Sequence, residues 1–225
     1  MDATHGVNDT SSCRNLPGVA NGTTLAPGHL EEPNTAYRFR KSQSSFIRIS
    51  NSGIYNTNSI TLLNWFKTEA TMGHQTILQL SSEGKLAFLM ATDGGMIYLE
   101  VYPKCNVQPR SIFPDITIEA STWYFIGVSY DHATGLMAIR TRTLDGRQVD
   151  GSISVGVIKL DTGHDIWLGY GPKSPGAFTG SMACFQVYDE PLIEEDITEA
   201  MRMCLPTQWS GRHLCKRLEK NHVLS

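Results

Sequence analysis

The feature that most constrains this chain is a run of short alternating segments, broken every few residues by turn formers, between residues 36 and 190. In Trp123–Tyr130, one face carries Tyr124, Ile126, Val128 and Tyr130, and the other carries Trp123, Phe125, Gly127 and Ser129. Ile97, Leu99 and Val101 alternate in the same way with Met96, Tyr98 and Glu100. Side chains alternate across a strand, so a period of two places each set on its own face of a sheet. Strands apolar on one side and mixed aromatic-polar on the other suit two stacked sheets. The inner faces then form the core, and one outer face is left wet or partly covered.

The pattern predicts strands over Phe46–Ile49, Ile60–Thr68, Thr76–Leu80, Leu86–Ala91, Met96–Tyr102, Trp123–Tyr130, Leu136–Thr143, Ile166–Gly169 and Gly180–Tyr188. Asp93-Gly94 and Asp145-Gly146 read as hairpin turns, because both residue types tolerate the positive φ of a type I′ turn. Asp131–Gly135 reads as a longer turn. One helix is expected late in the chain, where Ile193, Ile197, Ala200, Met201 and Cys204 fall on one stripe. Pro191 precedes it, and Glu194, Glu195 and Asp196 suit the positive end of the helix dipole. Such a helix would cover the edge or end of a sandwich. No strand-helix-strand alternation occurs, which argues against α/β architectures.

Length and composition agree with one all-β domain: 225 residues, 40% hydrophobic and 18% charged. A net charge of −3 gives no electrostatic footprint for nucleic acid or an anionic membrane surface. No stretch is apolar enough to span a bilayer, so direct membrane insertion is not expected. The start, MDATHGVNDTSSC, shows no basic and apolar leader regions. Sequons at Asn8 and Asn21, together with five cysteines (Cys13, Cys105, Cys184, Cys204 and Cys215), favour a secretory route. The expectation is an extracellular or secreted chain, or the ectodomain of a membrane protein.

Several segments carry a family likeness. They begin with Gly22–Gly28, Ala36-Tyr37-Arg38-Phe39, Phe46-Ile47-Arg48-Ile49 and Asn58–Phe66. The likeness continues through Thr122–Asp131, Thr134-Gly135-Leu136, Thr179–Tyr188, Pro191-Leu192 and Glu194–Ile197. This succession resembles a laminin G-like domain of the concanavalin A-like lectin/glucanase superfamily. The resemblance implies an all-β, antiparallel two-sheet jelly-roll sandwich with a short C-terminal helix. It would occupy residues 21–204, between an irregular segment 1–20 and a tail 205–225. Cys184 and Cys204 look like the family's bridge from last strand to closing helix. Cys13 and Cys215 are the preferred second pair, with Cys13–Cys105 as competitor.

The same likeness implies a recognition or adhesion module for an extracellular protein or glycan ligand, standing free or within a larger receptor or matrix protein. Superfamily glycosidases carry an E-x-D-x-E or E-x-D-x-x-E strand that aims two glutamates at one face. This chain has none, and it has no G-x-S-x-G elbow. The expectation is therefore a protein that is not an enzyme. Laminin G-like domains and pentraxins often bind Ca²⁺ at a sandwich rim through loop oxygens. Asp93 and Asp131 are the loop carboxylates that would serve, without a dense ligand array around them. Aromatic rings stack on sugar faces, and Trp65, Trp123, Trp167, Tyr98 and Tyr170 are available. Trp65 and Trp123 sit mid-strand in apolar runs and read as core. Trp167 and Tyr170 border the Gly-rich loop 169–176 and are the candidate ligand-binding residues. A calcium-dependent lectin specific for a glycan is the alternative reading, and a glycoside hydrolase is the distant one.

Overall fold

The computed structural model describes residues 17–51, 57–104 and 108–204. Cys13, Cys105, Cys215 and Asn8 lie outside the described residues. Among the described residues, fourteen strands, one short 3-10 turn (Lys41–Gln43) and one α-helix follow in chain order. The strands are β1 (Val19–Asn21), β2 (Thr24–Ala26), β3 (Ala36–Phe39), β4 (Phe46–Ile49), β5 (Ile60–Thr68), β6 (Gln75–Ser82) and β7 (Lys85–Asp93). After them come β8 (Met96–Val101), β9 (Arg110–Ile112), β10 (Trp123–Asp131), β11 (Leu136–Thr143), β12 (Gln148–Ser154), β13 (Asp165–Leu168) and β14 (Gly180–Tyr188). The helix is α1 (Glu194–Arg202).

The strands form two seven-stranded sheets, ordered β1-β4-β13-β6-β7-β8-β9 and β12-β11-β10-β5-β14-β3-β2. Neighbours run antiparallel, so the expected jelly-roll sandwich is the architecture of the chain. The period-two pattern fills the space between the sheets. Tyr124, Ile126, Val128 and Tyr130 face Ile97, Leu99, Val101, Ile166 and Leu168 in one core. Phe66 anchors it against Tyr124 (centroids 5.8 Å) and Phe178 (6.5 Å). Burial of this kind contributes roughly 1.5–3 kcal/mol per large apolar side chain.

Turn chemistry differs by one step from the sequence expectation. In the β7–β8 hairpin Asp93 is the last strand residue, opposite Met96, and the turn is Gly94-Gly95 with φ of 58° and 82°. Two positive φ angles in succession are what a tight primed turn requires, and the second glycine supplies the one Asp93 was expected to give. The β11–β12 connection pairs Arg142 with Gln148, and only Gly146 is left-handed (φ 86°).

The helix also differs in place. It lies on the outer face of the second sheet, where Ile197 and Ala200 pack with Leu63, Trp65, Trp123, Phe125 and Ala183. Gly127 explains the seat: a Cβ there would stand 2.9 Å from Leu63 Cδ2 and 3.5 Å from Ile197 Cγ2. A Cβ there would crowd the end of the Leu63 side chain and stand at ordinary contact distance from the helix, so the glycine lets Leu63 and Ile197 meet over β10. Ile193 caps the helix and is exposed, whereas Leu192 is buried in its stead. Among the described residues no helix is long and apolar enough to cross a membrane.

Candidate functional site

Over β5, β10 and β14 the outer face of the second sheet is covered by the helix and the His29 loop. His29 lies parallel to Trp65 (4.4 Å, 7°) and edge-on to Trp123 (6.3 Å). Burial lowers the pKa of His29 from 6.5 to about 4, since a charged imidazole would lose its hydration there. Cys184 and Cys204 are joined by a disulfide that ties β14 to the end of the helix. Gln186 reinforces the joint by donating from Nε2 to the carbonyl of Ala200 (3.0 Å).

The first sheet is different. Its register places Arg48, Trp167, Gln79, Leu89, Glu100 and Ser111 in one row across β4, β13, β6, β7, β8 and β9. Residues directly opposite on neighbouring strands share a face, so this row lies on the outer side, away from Ile166, Leu80 and Leu99. Trp167 is half-buried there. Its indole N–H donates to the carbonyl of Ser81 (3.2 Å), Phe46 tilts against it (5.2 Å), and the Arg48 guanidinium lies 5.6 Å from its ring. Asn21 stands opposite Phe46 in the register and is exposed on the same face.

The Gly-rich loop beside Trp167 is pinned to this sheet. Ser174 Oγ accepts from the Gly171 amide (2.7 Å) and from Gln79 Nε2 (3.2 Å). A Cβ on Gly171 would fall 1.9 Å from Gln79 Nε2, so only glycine lets the loop approach so closely. Tyr170 leaves this loop exposed. Three fully buried side chains of this face, Thr76, Gln79 and Ser81, each keep an oxygen without a hydrogen-bond partner among the described residues.

At the far end of the face, His74, Asp93, Met96, Tyr98, Glu100 and Phe113 line a shallow depression of about 240 Å³. Sequence reading missed Phe113, Met96 and Phe46, because a lone apolar residue carries no sign of its cross-strand neighbours. A second depression of about 320 Å³ lies over β11 and β12 beside Glu194. Its charges are consumed internally: Glu194 pairs with Arg140 (2.7 Å) and Arg142, and Arg142 also pairs with Asp150 (2.5 Å).

The two loop carboxylates proposed for a cation lie apart. Asp131 accepts from the Ala133 amide (2.9 Å) and the Thr134 hydroxyl (2.7 Å) within its own turn, the role of an ordinary turn residue. Asp93 lies 3.5 Å from His74 Nε2. Among the described residues no group of three or more His, Cys, Asp or Glu side chains is arranged to hold a metal ion.

The laminin G family, described as the concanavalin A-like lectin/glucanases superfamily, matches residues 41–198, well over half of the chain. No curated protein sequence matches it. Among solved structures, the receptor-binding domain of botulinum neurotoxin mosaic serotype C/D is similar, at 15% identity and a TM-score of 0.62, over 83% of this chain and 46% of that one. The botulinum neurotoxin DC binding domain is similar in its complex with rat synaptotagmin II, at 14% identity and a TM-score of 0.63 (84% and 47% covered). Its complex with SialylT gives 13% identity and 0.62 over the same shares. The chain spans about half the length of these structures, and at such identities the likeness is one of fold.

Proposed function

Because the chain belongs to the laminin G family of the concanavalin A-like lectin/glucanases superfamily, we propose that it is a non-catalytic recognition module of the extracellular space. Its ligand, a protein or a glycan, would lie across the outer face of the sheet that carries Trp167. The observation behind this reading is the row from Arg48 to Ser111, whose two ends, Arg48 with Trp167 and Glu100 with Ser111, are partly exposed on an outer face that no helix of the described residues covers. Aromatic rings with polar neighbours give contact area and orientation together. The botulinum neurotoxin DC binding domain, about half of which is similar to this chain in fold, occurs in complexes with a protein, rat synaptotagmin II, and with SialylT. The disulfide and the exposed sequon at Asn21 fit a secretory route.

The test is binding of the full chain to a glycan array, with and without calcium, and to intact cells before and after surface proteolysis. Saturable binding that falls about tenfold in Trp167→Ala, a loss of about 1.4 kcal/mol, supports the reading. Binding that survives Trp167→Ala and Tyr170→Ala together overturns it. Calcium dependence would call for a rim cation, and Asp93→Asn and Asp131→Asn, made separately, would then test which of the two carboxylates takes part.

A further inference from the structure

The depression at the β8–β9 end of the open face has a chemistry of its own. Met96, Tyr98 and Glu100 alternate on one side of β8, so all three point outward, and Asp93 stands directly opposite Met96. Phe113, just past β9, stacks on Tyr98 (5.9 Å, 27°), and His74 meets Tyr98 edge-on (6.4 Å). Phe113 is 65% exposed and Met96 57%. These are large apolar side chains left in water beside two carboxylates. No lysine or arginine lines the depression.

Glu100 is the central group. Its carboxylate accepts from the Tyr102 hydroxyl (2.5 Å) and the Ser111 hydroxyl (3.4 Å). Two donors hold it in place, and each oxygen keeps a further lone pair free. Glu100 has no cationic partner among the described residues, whereas Glu194, Asp150 and Asp165 each lie within 4 Å of an arginine nitrogen. The field is negative enough to register on its neighbours: burial first, and then Glu100, raise the pKa of Tyr98 and of Tyr102. A carboxylate fixed beside the Tyr98–Phe113 stack, with no cationic partner among the described residues, is complementary to a cation. The exposed Phe113 ring adds attraction for a flat guanidinium in particular. Exposed Met and Phe beside it are the residue types enriched at protein interfaces.

We propose that this depression receives an arginine side chain of a protein partner, stacked on the exposed ring of Phe113 and paired with Glu100. The proposal rests on reading this sheet face as the ligand face, and it names the partner chemistry at one end of it.

Nuclear magnetic resonance on the ¹⁵N-labelled chain tests it with four probes: N-acetyl-arginine methylamide, its uncharged citrulline isostere, methyl α-glucoside and tetramethylammonium. The expected result is saturable shifts of the amides of Met96–Glu100 and Phe113 with the arginine probe. Binding should weaken about tenfold for citrulline and for Glu100→Gln, as for a charge-assisted hydrogen bond removed. It should also weaken as salt rises from about 0.05 to 0.5 M. Phe113→Ala, at an exposed position, should keep the spectrum of a folded protein and lose the shifts. Equal response to citrulline, a response to the glucoside or to tetramethylammonium that exceeds the arginine response, or no response at these amides overturns the proposal. The two readings fail separately. If these amides are silent while Trp167→Ala still abolishes ligand binding, the arginine assignment falls and the ligand face stands.

Discussion

Both sheets turn an outer face away from the shared core, and the chain treats the two in opposite ways. On one, Trp65, Trp123 and Phe125 are covered by a helix, a histidine loop and a disulfide, and are at most 4% exposed. On the other, Trp167, Tyr98 and Phe113 sit among Arg48, Glu100 and Asp93 with a glycine-rich loop drawn in beside them. Aromatic content alone does not separate the faces. What separates them is cover: Trp65, Trp123 and Phe125 lie under the helix and the His29 loop, whereas Trp167 is half-buried, Phe113 is largely exposed and only Tyr98 is buried. Apolar surface is buried where the aim is stability, and held open by polar neighbours where it is to meet something else.

That contrast predicts its largest effect on the sealed side. Phe125 is fully buried against Trp65 (5.4 Å), so Phe125→Ala should cost about 3–5 kcal/mol, from lost transfer energy and the cavity left behind. Urea denaturation followed by Trp fluorescence measures it. A cost under about 1 kcal/mol would mean that the helix side is no second core and that the two faces do not differ.

The disulfide comes next. Cys184 and Cys204 close a loop with a sequence separation of 20. Cys204→Ser should cost about 3 kcal/mol through the freedom it returns to the unfolded chain. The loss should appear as earlier exposure of Trp65 and Trp123 to acrylamide, with the first sheet's resonances unmoved. Unfolding of both sheets together at unchanged Trp accessibility would show that the helix is not a separable cover.

How much of this contrast could be read from sequence depends on which residues carry it. Central strands such as β5 and β10 announced themselves, because buried strands need long runs of large side chains with period two. The three-residue strands β1, β2 and β9 gave no such signal. They sit at or next to sheet edges, bury little and owe their conformation to a neighbour's backbone. The helix was legible from its stripe, but its place was not, since only Gly127 marks the notch and a glycine in a strand has many readings. Trp167 and Tyr170 stood out as rings beside a glycine-rich loop. The depression around Glu100 did not, because Met96 and Phe113 meet only through the register of β8 and β9.

Histidine 29 sharpens the comparison through pH. Its pKa in the fold is about 4, below the 6.5 of the unfolded chain. The unfolded state therefore takes up a proton that the native state refuses, and the stability linked to His29 is complete above pH 6.5 and falls as pH drops toward 4. By pH 5 the loss should be about 2 kcal/mol, from the difference between the two titration curves. Comparing wild type with His29→Phe isolates it from other acids, as the variant keeps the ring stack and drops the titration. Identical pH profiles for the two would show that water reaches the imidazole and that this face is not sealed.

The smallest effect belongs to the open face. Phe113 is 65% exposed, and among the described aromatic residues its ring touches only Tyr98. Phe113→Ala removes little buried area, so stability should stay within about 0.5 kcal/mol of wild type. The same residue type is thus expected to weigh several-fold less here than at Phe125, and the ratio depends on burial rather than chemistry. Denaturation of the two variants side by side measures that ratio directly. A destabilisation by Phe113→Ala approaching that of Phe125→Ala would require the Phe113 ring to be covered, by the chain itself or by a second copy. In the second case the cost would grow with protein concentration. A cost near zero at every concentration leaves the ring free for a partner, which is the condition that any ligand on this face must meet.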